Sequence, residues 1–156
     1  MKKIKRREEI IRKLRKKGCT LLKEANYDEA IELFLESLEL APCDELTLKC
    51  LYKMYFKMKE YKQAEFYSKM LLDMNKNNIE ANNMRFNILL KQNKFDEAKE
   101  FLDNNEILKR EDNYYEMKSL VLKEIARQNI NKTKIFQHLK IINYPMKYCL
   151  FDILYF

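Results

Sequence analysis

Three short segments of the chain share one pattern: Asn26-Tyr27-Asp28-Glu29-Ala30, Glu60-Tyr61-Lys62-Gln63-Ala64 and Lys94-Phe95-Asp96-Glu97-Ala98. The aromatic residue of each segment stands 34 residues after the previous one, and so does each final alanine. A spacing that recurs without drift over two intervals indicates an internal repeat. We therefore expect a chain built from equivalent units.

Helices account for the residues around each segment. Apolar side chains recur there every three or four positions, which is the period of an α-helix. The chain of 156 residues has one Gly and two Pro, too few for the tight turns of a sheet protein. Each unit is thus expected to be a pair of antiparallel helices that buries its apolar faces by stacking on the next pair. The repeated alanine is expected where two helices cross closely.

The pattern resembles the tetratricopeptide repeat (TPR) family, whose unit is 34 residues long. The direct matches in the first unit are Gly18, Ala30, Phe34 and Pro42. Tyr52 and Phe86 depart from the pattern, because they stand where the small residue of Gly18 should recur. The resemblance implies an all-α superhelix of about three helix hairpins. A degenerate pair of capping helices is expected near residues 113–128 and 132–142, since a helical stripe continues there without the repeat motif.

This organisation divides the chain into three parts. Residues 1–10 are a basic extension that continues into the first helix, and residues 11–142 are the repeat domain. Its units are about 11–44, 45–78 and 79–112, with the degenerate unit at 113–142. An apolar tail follows at 143–156, and the sequence alone leaves open whether it is packed, exposed or a point of truncation.

Charge is concentrated at the start of the chain. Residues 1–23 hold 11 Lys and Arg against two Glu, whereas the whole chain has a net charge of +7. A solvated helix face would explain this segment. The alternatives are contact with an acidic protein, a nucleic acid or a membrane surface, or a nuclear import signal. No interleaved aromatic residue is present there to stack on bases.

The resemblance implies that the first helix of each pair lines a concave groove. The polar and charged positions it places there are Arg12, Arg15, Lys23, Lys49, Lys53, Lys57, Glu80, Asn83, Asn87 and Lys91. Leu22, Phe56 and Leu90 lie between them, and Cys19 and Leu46 complete the set. With seven basic residues against one acid, the groove is expected to bind an acidic protein or peptide segment. An ordinary lysine-rich helix exterior is the competing interpretation.

Some members of the family are co-chaperones that clamp the C-terminal carboxylate of heat-shock chaperones with Lys, Asn and Arg side chains. Only Arg15 could replace one of those ligands here. The other clamp positions carry Cys19, Cys50, Glu80 and Met84, and Arg85 is one residue out of register. A co-chaperone without this clamp is a further alternative.

Catalytic activity is not expected of this chain. Its only histidine, His138, has no evident partner, and one Gly cannot build a phosphate-binding loop. The four cysteines lack the spacing of a zinc site, so neither a metal nor a cofactor is expected. Without a signal-peptide pattern or a membrane-spanning stretch, the cytoplasm is the expected location, with the nucleus as the alternative. The partner, the pathway and the oligomeric state do not follow from the sequence.

Overall fold

The computed structural model of the protein describes residues 2–141, and the side chains of residues 4–137 within them. In this range the helices are α1 (Lys2–Lys23), α2 (Tyr27–Leu40), α3 (Glu45–Lys57), α4 (Tyr61–Met74), α5 (Ile79–Lys91), α6 (Phe95–Asn104) and α7 (Tyr114–Ile141). A short 3₁₀ helix, Leu108–Arg110, precedes α7. Consecutive helices pack as the hairpins α1/α2, α3/α4 and α5/α6. The predicted all-α repeat fold is confirmed.

The turn inside each hairpin has the same backbone conformation. Just after the first helix, φ is positive at Ala25 (60°), Lys59 (64°) and Asn93 (58°). The next N–H then donates to a carbonyl five residues earlier: Asn26 to Leu21 at 3.0 Å, Glu60 to Tyr55 at 2.9 Å and Lys94 to Leu89 at 2.9 Å. These bonds satisfy carbonyl groups that the helix end leaves free. The three turns are therefore equivalent in structure as well as in spacing.

The turns between hairpins also repeat. Asp44 accepts a hydrogen bond from the backbone N–H of Thr47 at 3.0 Å, and Asn78 accepts one from Ala81 at 3.0 Å. Each side chain caps the first turn of the following helix, α3 or α5, and satisfies a donor that the helix cannot. Asp44 and Asn78 are again 34 residues apart.

The core explains the residues of the motif. Ala30, Ala64 and Ala98 are completely buried. In the first hairpin, a β-carbon built on Gly18 would lie 2.7 Å from the ring of Phe34, so the missing side chain lets α1 approach this ring. Gly18 therefore meets a steric need at one helix contact.

The two departures from this arrangement are compensated on the partner helix. Tyr52 and Phe86 are buried at the position of Gly18, and Ser68 and Leu102 are buried at the position of Phe34. In the second hairpin the large ring has thus moved from the second helix to the first. The exchange keeps the interior filled without a glycine.

The end of the array differs from the expectation of two capping helices. One continuous helix, α7, runs from Tyr114 to Ile141. No Gly or Pro interrupts it, and the Thr133 hydroxyl donates to the carbonyl of Asn129 at 2.9 Å within the helix. The prediction of a helix pair was wrong because neither Gly nor Pro breaks the helix at positions 129–132, and Asn129 and Asn131 are accommodated within it. Tyr114 and Val121 anchor α7 in the core, whereas Leu120 is exposed.

The predicted apolar tail at 143–156, including Cys149, lies outside the described residues. His138 belongs to α7, but its side chain also lies outside them. None of the helices that the structure describes is both long and apolar enough to cross a lipid bilayer.

Candidate functional site

The first helices of the three hairpins lie side by side. Cys19 Sγ on α1 is 3.4 Å from Cys50 Sγ on α3, and the Tyr52 hydroxyl on α3 donates to the carbonyl of Met84 on α5 at 3.2 Å. We call the surface formed by α1, α3 and α5 the first-helix face. The predicted groove residues all lie on these helices: Arg12, Arg15, Lys23, Lys49, Lys53, Phe56, Lys57, Asn83, Asn87 and Lys91.

Arg15 is already paired within the chain. Its guanidinium lies 2.7 Å from the carboxylate of Asp44, and both side chains are largely shielded from solvent. Burial acts to raise the pKa of Asp44, but hydrogen bonds from Thr47 and Arg15 outweigh it and hold this pKa below its usual value. Arg15 therefore links α1 to Asp44, the N-cap residue of α3, and its charge is neutralised within the chain instead of facing a ligand.

Lys49 and Lys53 are paired as well. Lys49 Nζ lies 2.7 Å from Glu45 and 2.6 Å from Glu80, and Lys53 Nζ lies 3.7 Å from Glu80. Hydrogen bonds to Glu45 and Glu80 raise the pKa of Lys49 above its usual value. Glu80 thus joins α5 to α3. The middle of the first-helix face is a network of ion pairs, and its excess of positive charge is smaller than the residue count indicated.

The other four predicted cations are exposed. Arg12, Lys23, Lys57 and Lys91 form no ion pair with a carboxylate of the described residues. Three of them, Lys23, Lys57 and Lys91, are the last residues of α1, α3 and α5 and stand 34 residues apart. One free ammonium group therefore recurs at the same end of every first helix. We call these three residues the lysine row.

An apolar row runs beside the lysine row. Leu22, Phe56 and Leu90 each precede one of the three lysines and are partly buried. Phe56 stacks on Tyr52 with ring centroids 5.5 Å apart and meets the edge of Tyr61 at 5.7 Å. Every unit thus presents an apolar side chain next to a free cation.

The groove asparagines and the clamp positions complete the first-helix face. Asn87 is exposed and Asn83 is partly buried, both on α5. Of the clamp positions, Glu80 binds Lys49 and Lys53, and Cys19 meets Cys50. Within the described part of the chain, no three His, Cys, Asp or Glu side chains come together as a metal site would require.

Neither models of known protein families nor curated protein sequences match this sequence. Solved structures do match its fold. The first TPR of Spaghetti (RPAP3), bound to the HSP90 peptide SRMEEVD, has a TM-score of 0.62 at 20% identity, over 76% of this chain and 97% of that one. The Sgt2 TPR domain from Aspergillus fumigatus has a TM-score of 0.63 at 16% identity, over 76% of this chain and 81% of that one.

The chain has a TPR fold. Yeast Tom70 matches it too, with a TM-score of 0.65 at 19% identity over 81% of this chain and 26% of that one. The placement of the first-helix face on the concave side of the array stays a prediction of the resemblance.

Sequence reasoning missed the contacts between neighbouring units. The cysteine pair is separated by 31 residues, Lys49 and Glu80 are also 31 apart, and Tyr52 reaches Met84 across 32. Neighbouring first helices thus meet at a separation two or three residues shorter than the repeat of 34. A search for complementary side chains at that separation would have found these pairs.

Proposed function

We propose that this protein is an adaptor that binds an acidic segment of another protein on its first-helix face. The observation that carries the proposal is the lysine row, Lys23, Lys57 and Lys91, exposed and free of ion pairs with described carboxylates. An acidic segment that crosses the three units would meet one ammonium group in each. The neighbouring apolar row, Leu22, Phe56 and Leu90, would supply apolar contacts that exclude water and add to the affinity.

The TPR fold supports a protein partner. The Spaghetti (RPAP3) domain was solved with a peptide, SRMEEVD, that carries three acidic residues beside Met and Val. Acidic and apolar residues in one short segment are the chemistry that the lysine row and the apolar row would recognise. The contacts would differ from those of a carboxylate clamp, because two clamp positions are paired within the chain. Arg15 pairs with Asp44, and Glu80 pairs with Lys49 and Lys53.

Helix stability offers a competing reason for the lysine row. A cation in the last turn interacts favourably with the helix dipole and stabilises a helix by about 0.3–1 kcal/mol. Lys23, Lys57 and Lys91 occupy that place in α1, α3 and α5. A test must therefore measure binding and stability separately.

The test compares two triple variants in the full chain. Lys23→Gln, Lys57→Gln and Lys91→Gln together remove the charges of the lysine row and leave an unbranched polar side chain at each position. The matched control neutralises the exposed lysines Lys62 and Lys69 on α4 and Lys123 on α7. Fluorescence anisotropy would measure the Kd for labelled synthetic peptides that combine Glu or Asp with Met, Leu or Val, beginning with SRMEEVD.

We expect the lysine-row variant to lose about tenfold in affinity, because three ion pairs of about 0.5 kcal/mol each amount to about one tenfold step. The control should bind as the wild type does, and affinity should fall as salt rises. Circular dichroism verifies that both variants are folded at the assay temperature. Equal affinity of all three proteins, or equal binding of the peptide SRMQQVN, in which amides replace the three acidic residues, would contradict the proposal.

A further inference from the structure

Two thiols meet on the first-helix face between the first and second units. Cys19 Sγ and Cys50 Sγ are 3.4 Å apart, and both residues are partly buried. They come from different hairpins, since α1 carries one and α3 the other. Cys43, the third described cysteine, is exposed and precedes α3.

We propose that Cys19 and Cys50 are a thiol-modification site, at which a two-electron oxidant such as hydrogen peroxide makes a reversible disulfide. A disulfide bond is about 2.05 Å long, so the two sulfur atoms must approach by about 1.4 Å. The cross-link is independent of whether an acidic segment binds the first-helix face.

The reaction has two balanced steps. The Cys19 thiolate attacks one oxygen of the peroxide, the O–O bond breaks, and hydroxide leaves and takes up the proton that Cys19 had lost. Cys19 is then a sulfenic acid. The Cys50 sulfur attacks the Cys19 sulfur, the S–O bond breaks, and the departing hydroxide takes the Cys50 proton. Two thiols are thereby oxidised by two electrons, and one peroxide becomes two waters.

The surroundings of Cys50 set the order of these steps. Burial raises the pKa of the Cys50 thiol to about 12, with a hydrogen bond to Cys19 adding to the effect. A thiol reacts with peroxide only as its thiolate, so Cys50 is the poorer first nucleophile. Cys19 therefore takes the sulfenic acid. Cys50 can still resolve it because its sulfur is held 3.4 Å from that of Cys19, and this proximity compensates for a small thiolate fraction.

The disulfide would add a covalent cross-link between the first two units, which the main chain, packing and the Arg15–Asp44 ion pair join in the reduced protein. The link spans 31 residues of sequence and therefore restricts the unfolded chain strongly. For a chain of this size the expected rise in Tm on oxidation is roughly 10 °C. Because α1 and α3 both form the first-helix face, oxidation would also fix the separation of the first two units there.

The experiment uses the full chain with Cys43→Ser and Cys149→Ser, so that only Cys19 and Cys50 remain. Native protein is exposed to hydrogen peroxide, and intact mass, peptide mapping and Tm are measured before and after reduction. We expect the intact mass to show the loss of two hydrogens and the peptide map to show a Cys19–Cys50 linked peptide. The disulfide should form on the order of tenfold faster in native protein than in urea, because the fold holds the two sulfur atoms together. The wild type is mapped in parallel, which shows that the serines did not create the link.

Adding Cys19→Ser to this background is the matched control, and it should give neither the link nor the rise in Tm. The proposal is overturned if native protein accumulates sulfenic or sulfinic acid at Cys19 without the cross-link. It is also overturned if the link forms no faster in native than in unfolded protein, or if Cys19 pairs with Cys43 in the wild type.

Discussion

Replacing Gly18 with alanine places a methyl group inside the space of the Phe34 ring. A β-carbon at this position would lie 2.7 Å from Cε1, 2.9 Å from Cζ and 3.1 Å from Cδ1 of the ring. Carbon atoms pack best at about 3.5–4.0 Å, so all three contacts are repulsive. Phe34 is completely buried and cannot swing into solvent to relieve them.

Two effects of opposite sign decide the result. An exposed helical glycine replaced by alanine gains about 1 kcal/mol of helix propensity. An extra carbon in a well-packed core costs about 1–3 kcal/mol. With about 2 kcal/mol for the clash, the Gly18→Ala variant should lose about 1 kcal/mol of unfolding free energy, and its Tm should fall by about 2–4 °C.

Urea and thermal unfolding followed by circular dichroism would measure this change. Thr20→Ala is the control, because Thr20 is exposed on the same helix and its hydroxyl donates to the carbonyl of Lys16 within that helix. Adding Phe34→Leu to Gly18→Ala should cost less than the sum of the two single changes, with a coupling of about 1 kcal/mol. A Gly18→Ala protein more stable than the wild type would refute the close contact between α1 and Phe34.

Three further predictions concern the repeated turns. Ala25→Gly and Lys59→Gly should each raise the unfolding free energy by about 1 kcal/mol, because both residues carry a β-carbon at positive φ. Asn93→Gly should raise it less, since Asn tolerates this conformation. An unchanged Tm of the first two variants would contradict the turn geometry. The pKa of Asp44 is lowered in the folded state, so its carboxylate contributes its full stabilisation above its unfolded-state pKa of about 4 and loses it as pH falls through the folded-state pKa. Asp44→Asn should therefore reduce the loss of unfolding free energy at acidic pH. Urea titrations at successive pH values would measure this. Asn78→Ala should cost about 1 kcal/mol in the same assay by removing the cap of α5, and no loss would show that the cap adds nothing.

The sequence predicted the fold because its strongest signals are local. Tyr27 and Ala30 lie within one helical turn, and their equivalents recur at a constant interval, so no tertiary contact has to be known. The error at α7 has the same origin. At positions 129–132 the chain has two Asn but neither Gly nor Pro, and the helix continues through them.

The candidate site was less predictable, because its charges depend on partners in neighbouring units. Lys49 and Lys53 were expected to face a ligand, but Glu80 on the next first helix binds both. Arg15 was also expected to face a ligand, but it pairs with Asp44, which lies 29 residues away in the turn before α3. Counting charges on one helix cannot show such pairing. Among the predicted groove cations, Arg12 and the lysine that the repeat places at the end of each first helix remained free of ion pairs with described carboxylates.

The most direct test of the account follows the backbone amide signals of ¹⁵N-labelled full-length protein while the acidic peptide SRMEEVD is added. We expect the largest shifts at the ends of α1, α3 and α5, around Lys23, Lys57 and Lys91. Shifts confined to α2, α4 and α6, or to residues 2–17 of the basic N-terminal segment, would contradict it.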